Sequence, residues 1–181
     1  MKALILFGSP RKKGNTIQLV NVLSRALKDK GHSVKMLYLN DMNIRPCQGC
    51  YACLKEGICI INDDMKDIMK FIAESDLIVY ATPIYWFAPS GQLKLVMDRS
   101  IAFMDTKYNS RVKGKKAITL MTCMSNEKDT YGPALDMFKK TFALLGFKYE
   151  GSVEALTCAE PPKTIKKTYR DKVEELARSF A

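Results

Sequence analysis

The sequence predicts an α/β protein in which five parallel strands form a doubly wound sheet with helices on both faces. Three observations predict it. Short apolar runs end at turn signals, amphipathic stretches separate them, and the two alternate along the chain. Residues 2–8 (KALILFG) read as a buried first strand. A helix over 15–30 follows, with Val20, Leu23 and Leu27 on one side and Gly31 as its stop. Residues 33–39 supply the second strand, and a cysteine-rich loop occupies about 40–61. Asn62 or Asp63 is placed to cap the next helix, whose stripe is Met65, Ile68, Met69 and Ile72. Residues 76–82 (DLIVYAT) are the third strand, followed by a Pro/aromatic loop and a helix over about 90–104. The fourth strand is 115–122, and a polar loop covers 123–130. A helix over 131–145 ends at Gly146, residues 147–157 form the fifth strand, and 163–180 form the last helix.

A chain of 181 residues suits one domain, 1–181, with enough length to bury a core without staples. Apolar residues at 47% and charged residues at 27% exclude a disordered chain. The N-terminal apolar run is too short for a signal peptide or a membrane span, and Pro83 and Pro89 break the longest uncharged stretch. A cytoplasmic location is therefore expected, with no membrane partner. The net charge of +10 is spread along the chain rather than gathered in a tail. It favours anionic small molecules. No nucleic-acid reading motif accompanies it, so nucleic acid is not expected as a partner.

In such a sheet the ligand site lies at the carboxyl ends of the strands, where the strand order reverses. The loops at 8–16, 83–90 and 123–130 should then meet in one crevice. The first, Gly8-Ser9-Pro10-Arg11-Lys12-Lys13-Gly14-Asn15-Thr16, feeds a helix N-terminus. Free backbone N–H groups, the positive end of the helix dipole, the Ser9, Asn15 and Thr16 side chains and three cations suit a phosphate monoester. Gly8 and Gly14 let the backbone approach an anion. An ordinary βα turn with Asn15 as a helix cap is the competing reading. The run matches neither G-x-G-x-x-G nor the G-K-[ST] of a P-loop, so nucleotide hydrolysis is not expected.

The second loop carries Pro83, Ile84, Tyr85, Trp86 and Phe87, including the one Trp of the chain. Three adjacent aromatics cannot all enter one core, so at least one is available to stack on a flat ligand. A loop packed in the core or buried in a dimer is the alternative. Cys47, Cys50, Cys53 and Cys59 form a third feature. Cysteines at i, i+3 and i+6 with a fourth nearby can wrap one cubane cluster. Zinc, a disulfide such as Cys50–Cys53, and metal-free thiols also remain open.

These segments carry a resemblance. GSPRKKGNT, ATPIYWFAPSGQLKLVMDR and the CxxCxxC run between them resemble the NAD(P)H-dependent FMN reductase family, and within it the iron–sulfur flavoprotein branch most closely. The resemblance covers most of residues 1–125 and fades after about 130. It implies a flavodoxin-like sheet of order 2-1-3-4-5, non-covalent FMN, and a homodimer or homotetramer. It implies that Ser9, Arg11, Asn15 and Thr16 hold the FMN phosphate within the loop that Pro10 and Gly14 complete. Pro83, Ile84, Tyr85 and Trp86, with Phe87 beside them, would line the isoalloxazine ring, and Cys123, Met124 and Ser125 would flank it. The cysteine spacing matches that branch and implies a [4Fe–4S] cluster on Cys47, Cys50, Cys53 and Cys59. The expected activity is electron transfer from NAD(P)H through FMN to a quinone, flavin, nitro compound or protein carrier, ferredoxin included, with no catalytic side chain because the flavin carries the chemistry. A flavodoxin-like electron-transfer module without its own substrate is the alternative. Of the remaining residues, Asp63-Asp64 is read as helix capping, His32 as a solvated turn and Cys158 as core.

Overall fold

Alternation along β1 (Lys2–Phe7) decides the layering of the protein. Ala3, Ile5 and Phe7 enter the core on one face of the sheet, Leu4 and Leu6 the core on the other, and all five are buried. β3 (Leu77–Tyr85) divides the same way, with Leu77, Val79 and Ala81 opposite Ile78 and Tyr80. A strand buried on both faces has no polar side to show, which is why both runs are continuously apolar. The computed structural model describes residues 1–124, 129–156 and 165–180.

Helices cover both faces. α1 (Asn15–Asp29) and α6 (Lys167–Arg178) pack on the Ile5 side; α3 (Met65–Glu74), α4 (Gly91–Arg99) and α5 (Gly132–Leu145) pack on the Leu4 side. β2 (Ser33–Tyr38), β5 (Lys116–Cys123) and β6 (Lys148–Leu156) complete a parallel sheet of order β2-β1-β3-β5-β6. β4 (Ala88–Pro89) is only an antiparallel extension of β3. With β4 set aside, the order is the expected 2-1-3-4-5, with its reversal between β1 and β3.

Several boundaries differ from the sequence reading. The helix expected to reach residue 104 stops at Arg99 and tightens into a 3₁₀ turn, Ser100–Phe103. The third strand runs on through Pro83 to Tyr85, because β4 folds back to pair with it. The cysteine-rich loop contains a short helix, α2 (Cys53–Glu56). His32 is half-buried rather than solvated, with its ring beside the N-terminal amine and the Phe180 carbonyl. Among the described residues, no helix is long and apolar enough to cross a membrane.

Candidate functional site

Strand register brings the predicted loops together. Phe7 pairs with Ala81 and Pro83 with Thr122, so β1, β3 and β5 end side by side. Gly8 N–H donates to the Ala81 carbonyl at 2.8 Å. Buried Ser90 then ties the second loop to the first: its Oγ donates to the Gly8 carbonyl at 2.6 Å, and its N–H donates to Thr82 Oγ1 at 3.0 Å. A Cβ on Gly8 would lie 2.8 Å from both Leu93 Cβ and Ser90 Oγ, so only glycine fits there. The Thr16 and Thr122 hydroxyls meet at 2.8 Å and join α1 to the end of β5.

The first loop keeps its anion-binding character. Gly14 is the N-cap of α1 and brings no side-chain acceptor, and no acidic residue occupies the first turn. The leading N–H groups of a 15-residue helix are thus left for another partner. Asn15 is not the cap; it is the first helical residue, and its Oδ1 accepts from Gln18 Nε2 at 3.3 Å. Ser9 and Thr16 are buried, whereas Pro10 and Arg11 are exposed. Ser9 Oγ accepts the Arg11 N–H at 3.2 Å and shapes the turn. Lys12 is turned away, paired with Asp41 beside the Tyr38 ring.

The second loop is a hairpin of two residues. Tyr85 pairs with Ala88, leaving Trp86 and Phe87 as the turn, with φ of 49° and 64°. Two consecutive left-handed residues suit Asn-Gly and are strained for aromatics, at a cost of about 1–3 kcal/mol each. Tyr85, Trp86 and Phe87 are all exposed, Trp86 at 93%. Pro83 and Ile84 are buried in the strand, which leaves mainly their backbone facing outward. Cys123 ends β5 with its buried thiol donating to the Ala155 carbonyl at 3.9 Å. Met124 beside it is exposed, and Ser125 lies outside the described residues.

The cysteines line a separate cleft of about 230 Å³, walled also by Tyr51, Arg99 and Ile101. Cys47 and Cys50 are exposed, Cys53 and Cys59 buried, and all four are free thiols. Burial, and then the neighbouring thiols, push the Cys53 pKa up. Among the described residues no three His, Cys, Asp or Glu side chains converge on one ion site. A cubane does not need such convergence, since each thiolate binds a different corner.

Two arginines hold this loop. Gly57 (φ 70°) ends α2 in the left-handed conformation, and the Arg111 guanidinium packs against it while Nη2 donates to the Leu54 carbonyl at 2.8 Å. Arg99, at the end of α4, has no exposed side-chain surface. Its Nη1 donates to Asp63 Oδ2 at 2.6 Å and to the Arg45 carbonyl at 3.2 Å. Burial works against the Asp63 carboxylate, yet hydrogen bonds from Arg99, Arg45 N–H and Met65 N–H outweigh it and hold its pKa below the usual range. Burial likewise works against the Arg99 cation, and Asp63 and Cys59 reverse that effect. Asp64 Oδ2 accepts the Asn43 N–H at 2.7 Å. The Asp63-Asp64 pair therefore closes the base of the cysteine loop, beyond the capping read from sequence. Ser90 and Arg99 were given no role in the sequence reading, and Asp63 was given only that of a helix cap. The available signal was a basic residue three positions after Val96, on the apolar stripe of α4, which demands an acidic partner.

The fold, with a phosphate-type loop and an aromatic turn at its switch point, defines a flavodoxin-like protein. Known proteins carry this further. A profile of the NADPH-dependent FMN reductase family matches residues 1–149, and the chain belongs to that family. It is 41% identical over 100 residues to an iron–sulfur flavoprotein of Methanocaldococcus jannaschii, covering 55% of this chain and 52% of that protein. It is 29% identical over 157 residues to YwqN of Bacillus subtilis, provisionally named an NAD(P)H-dependent FMN-containing oxidoreductase, covering 84% and 83%. A Bacillus anthracis FMN-dependent NADH-azoreductase, solved with FMN, superposes with a TM-score of 0.76 at 17% identity over 100% of both chains. The chain spans about half the length of the iron–sulfur flavoproteins it matches first.

Both implied groups fit the residues present. For FMN, the open N-terminus of α1 and buried Ser9 and Thr16 suit a phosphate, and the exposed aromatic turn suits a ring. For a cluster, the donor set is four thiols around one cleft, and buried Arg99 Nε and Nη2 have no hydrogen-bond partner.

Proposed function

We propose that this chain is an FMN-dependent oxidoreductase that takes electrons from NAD(P)H, and that Cys47, Cys50, Cys53 and Cys59 hold a [4Fe–4S] cluster. FMN supplies hydride acceptance and onward transfer, and the cluster supplies one-electron exchange with a carrier. The carrying observation is the Ser90 bridge, which fastens the phosphate-type loop to the base of the aromatic turn.

Each residue has a role in this reading. The α1 N–H groups, with Ser9, Asn15 and Thr16, hold the phosphate, and Arg11 closes over it from the solvent side. Pro10 and Gly14 shape the turn. Backbone groups of Pro83 and Ile84 meet the ring edge, and Tyr85, Trp86 and Phe87 stack on or border it. Cys123, at the end of β5, borders the third side. N–H groups near Tyr85 and Trp86 would supply electrostatic stabilisation to the ring of a bound flavin. A second copy of the chain, in a homodimer or homotetramer, covers the exposed Trp86. Small redox substrates, or a protein carrier, reach the remaining face.

The test is the visible spectrum of anaerobically purified protein, followed by NAD(P)H oxidation with excess quinone or FMN. Resolved flavin bands over a broad brown shoulder, with many turnovers, are expected. Flavin bands alone would remove the cluster, and a single turnover would leave a carrier in place of an enzyme. A colourless protein that takes up no FMN would overturn the reading entirely.

A further inference from the structure

We infer that Arg99 is a positioning residue for the cluster: its Nε–H and Nη2–H groups donate to the cluster's sulfur shell and raise its reduction potential. This rests on the reading of the four cysteines as cluster ligands.

A guanidinium carries five N–H donors. The two on Nη1 are used, by Asp63 Oδ2 and the Arg45 carbonyl. The other three, on Nε and Nη2, are buried and have no hydrogen-bond partner. Arg99 as a whole is 1% exposed, and it lines the cleft shared by all four cysteines. A buried cation with three idle donors is costly, and proteins rarely leave such donors unmade. The Cys59 thiol lies against the guanidinium and helps to hold its charge, but it does not satisfy Nε or Nη2. A neutral thiol is a weak acceptor. A metal-bound thiolate or a bridging sulfide is a far better one, so the cluster supplies the acceptors the folded chain lacks.

Asp63 makes the arrangement directional. It shares Nη1 with the Arg45 carbonyl, so Nε and Nη2 are left as the donors available to the cleft that Arg99 lines. One-electron reduction adds a single negative charge at the cluster; no bond breaks and no proton moves. Donors aimed at the sulfurs stabilise that charge, and hydrogen bonds to sulfur are among the main controls on cluster potential.

The test is an EPR-monitored redox titration of the anaerobic holoprotein, with dithionite as electron donor and iron and sulfide assayed in each sample. Two variants are compared with wild type. Arg99→Lys keeps the charge but loses the fork. The double variant Asp63→Asn, Arg99→Met removes both charges together and avoids stranding either one. At the wild-type midpoint, the double variant is expected to show a roughly tenfold lower ratio of reduced to oxidised cluster, about 59 mV for one electron. Arg99→Lys should fall between it and wild type. The FMN midpoint in the same samples should barely move. Full iron and sulfide with unmoved cluster midpoints in both variants would overturn the role of Arg99 and leave the cluster reading intact. Wild-type protein with FMN but without iron or sulfide would sink both. Loss of cluster from the double variant alone leaves Arg99→Lys to decide by the same midpoint.

Discussion

The crevice at the strand ends and the cysteine cleft lie at opposite ends of α4, about 13 Å apart along its nine residues, and different physics holds each in place. The crevice is built by backbone. Strand register sets its loops, and Ser90 stitches Gly8 to Thr82 at the start of the helix. The cleft is built by charge. Its loop leaves β2, makes one turn of helix and returns, and its base is closed by Arg99–Asp63 at the end of α4. A phosphate needs donors that never change protonation, and amides meet that need. The cleft instead depends on one buried ion pair, which only side chains can make.

The largest expected effect breaks the charged end. Asp63→Asn strands the buried Arg99 cation and should cost about 3–5 kcal/mol of stability at pH 7, read by urea denaturation. An undiminished midpoint would mean that the cleft does not depend on this pair. The pH dependence has a defined sign. Although burial alone would raise it, the folded Asp63 pKa is lowered by its hydrogen bonds. Its contribution is therefore complete above the unfolded value of about 4 and is lost as pH falls through the folded value. The gap between wild type and Asp63→Asn should close in that acidic window and stay constant from pH 6 to 8.

The next effect tests the backbone end. Gly8→Ala places a methyl 2.8 Å from Leu93 Cβ and Ser90 Oγ. A loss of about 1–3 kcal/mol is expected, with weaker FMN uptake, because the clash pries apart the Ser90 bridge. Calorimetry on the FMN-free protein separates the two effects. Arg11→Ala should do the opposite. The side chain is exposed, so stability should change by less than about 0.5 kcal/mol. FMN affinity should fall about tenfold, measured by quenching of flavin fluorescence. The smallest effect sharpens the contrast within the crevice. Phe87→Gly relieves a left-handed aromatic (φ 64°) and should stabilise the FMN-free protein by about 1 kcal/mol while weakening FMN binding. Unchanged binding would make the strained turn a packing feature only.

Much of this was legible before folding. Apolar runs bounded by turn residues placed the five principal strands, and stripes such as Met65, Ile68, Met69 and Ile72 placed the helices, because burial imposes its period on the chain. Candidate loops followed from topology, since the crevice of a doubly wound sheet lies after predictable strands. Less legible was what each loop residue does there. Lys12 read as a cradle cation, yet it pairs with Asp41; Asn15 read as a possible cap, yet it begins the helix. Whether a polar side chain faces a ligand or a neighbour depends on groups distant in sequence, and no local pattern encodes them.

Sequence by itself determined the α/β class, the anion-ready loop before α1, the run of three adjacent aromatics and the four-cysteine spacing. Each of these is a local property of composition and period. Tertiary structure alone decided that Ser90 joins two loops 82 residues apart, that Trp86 and Phe87 form a left-handed turn, and that Arg99 reaches Asp63 across 36 residues. Such pairings are set by how layers stack. A buried charge must find its partner wherever the packed chain brings one, and only the assembled sheet and its helices determine where that is.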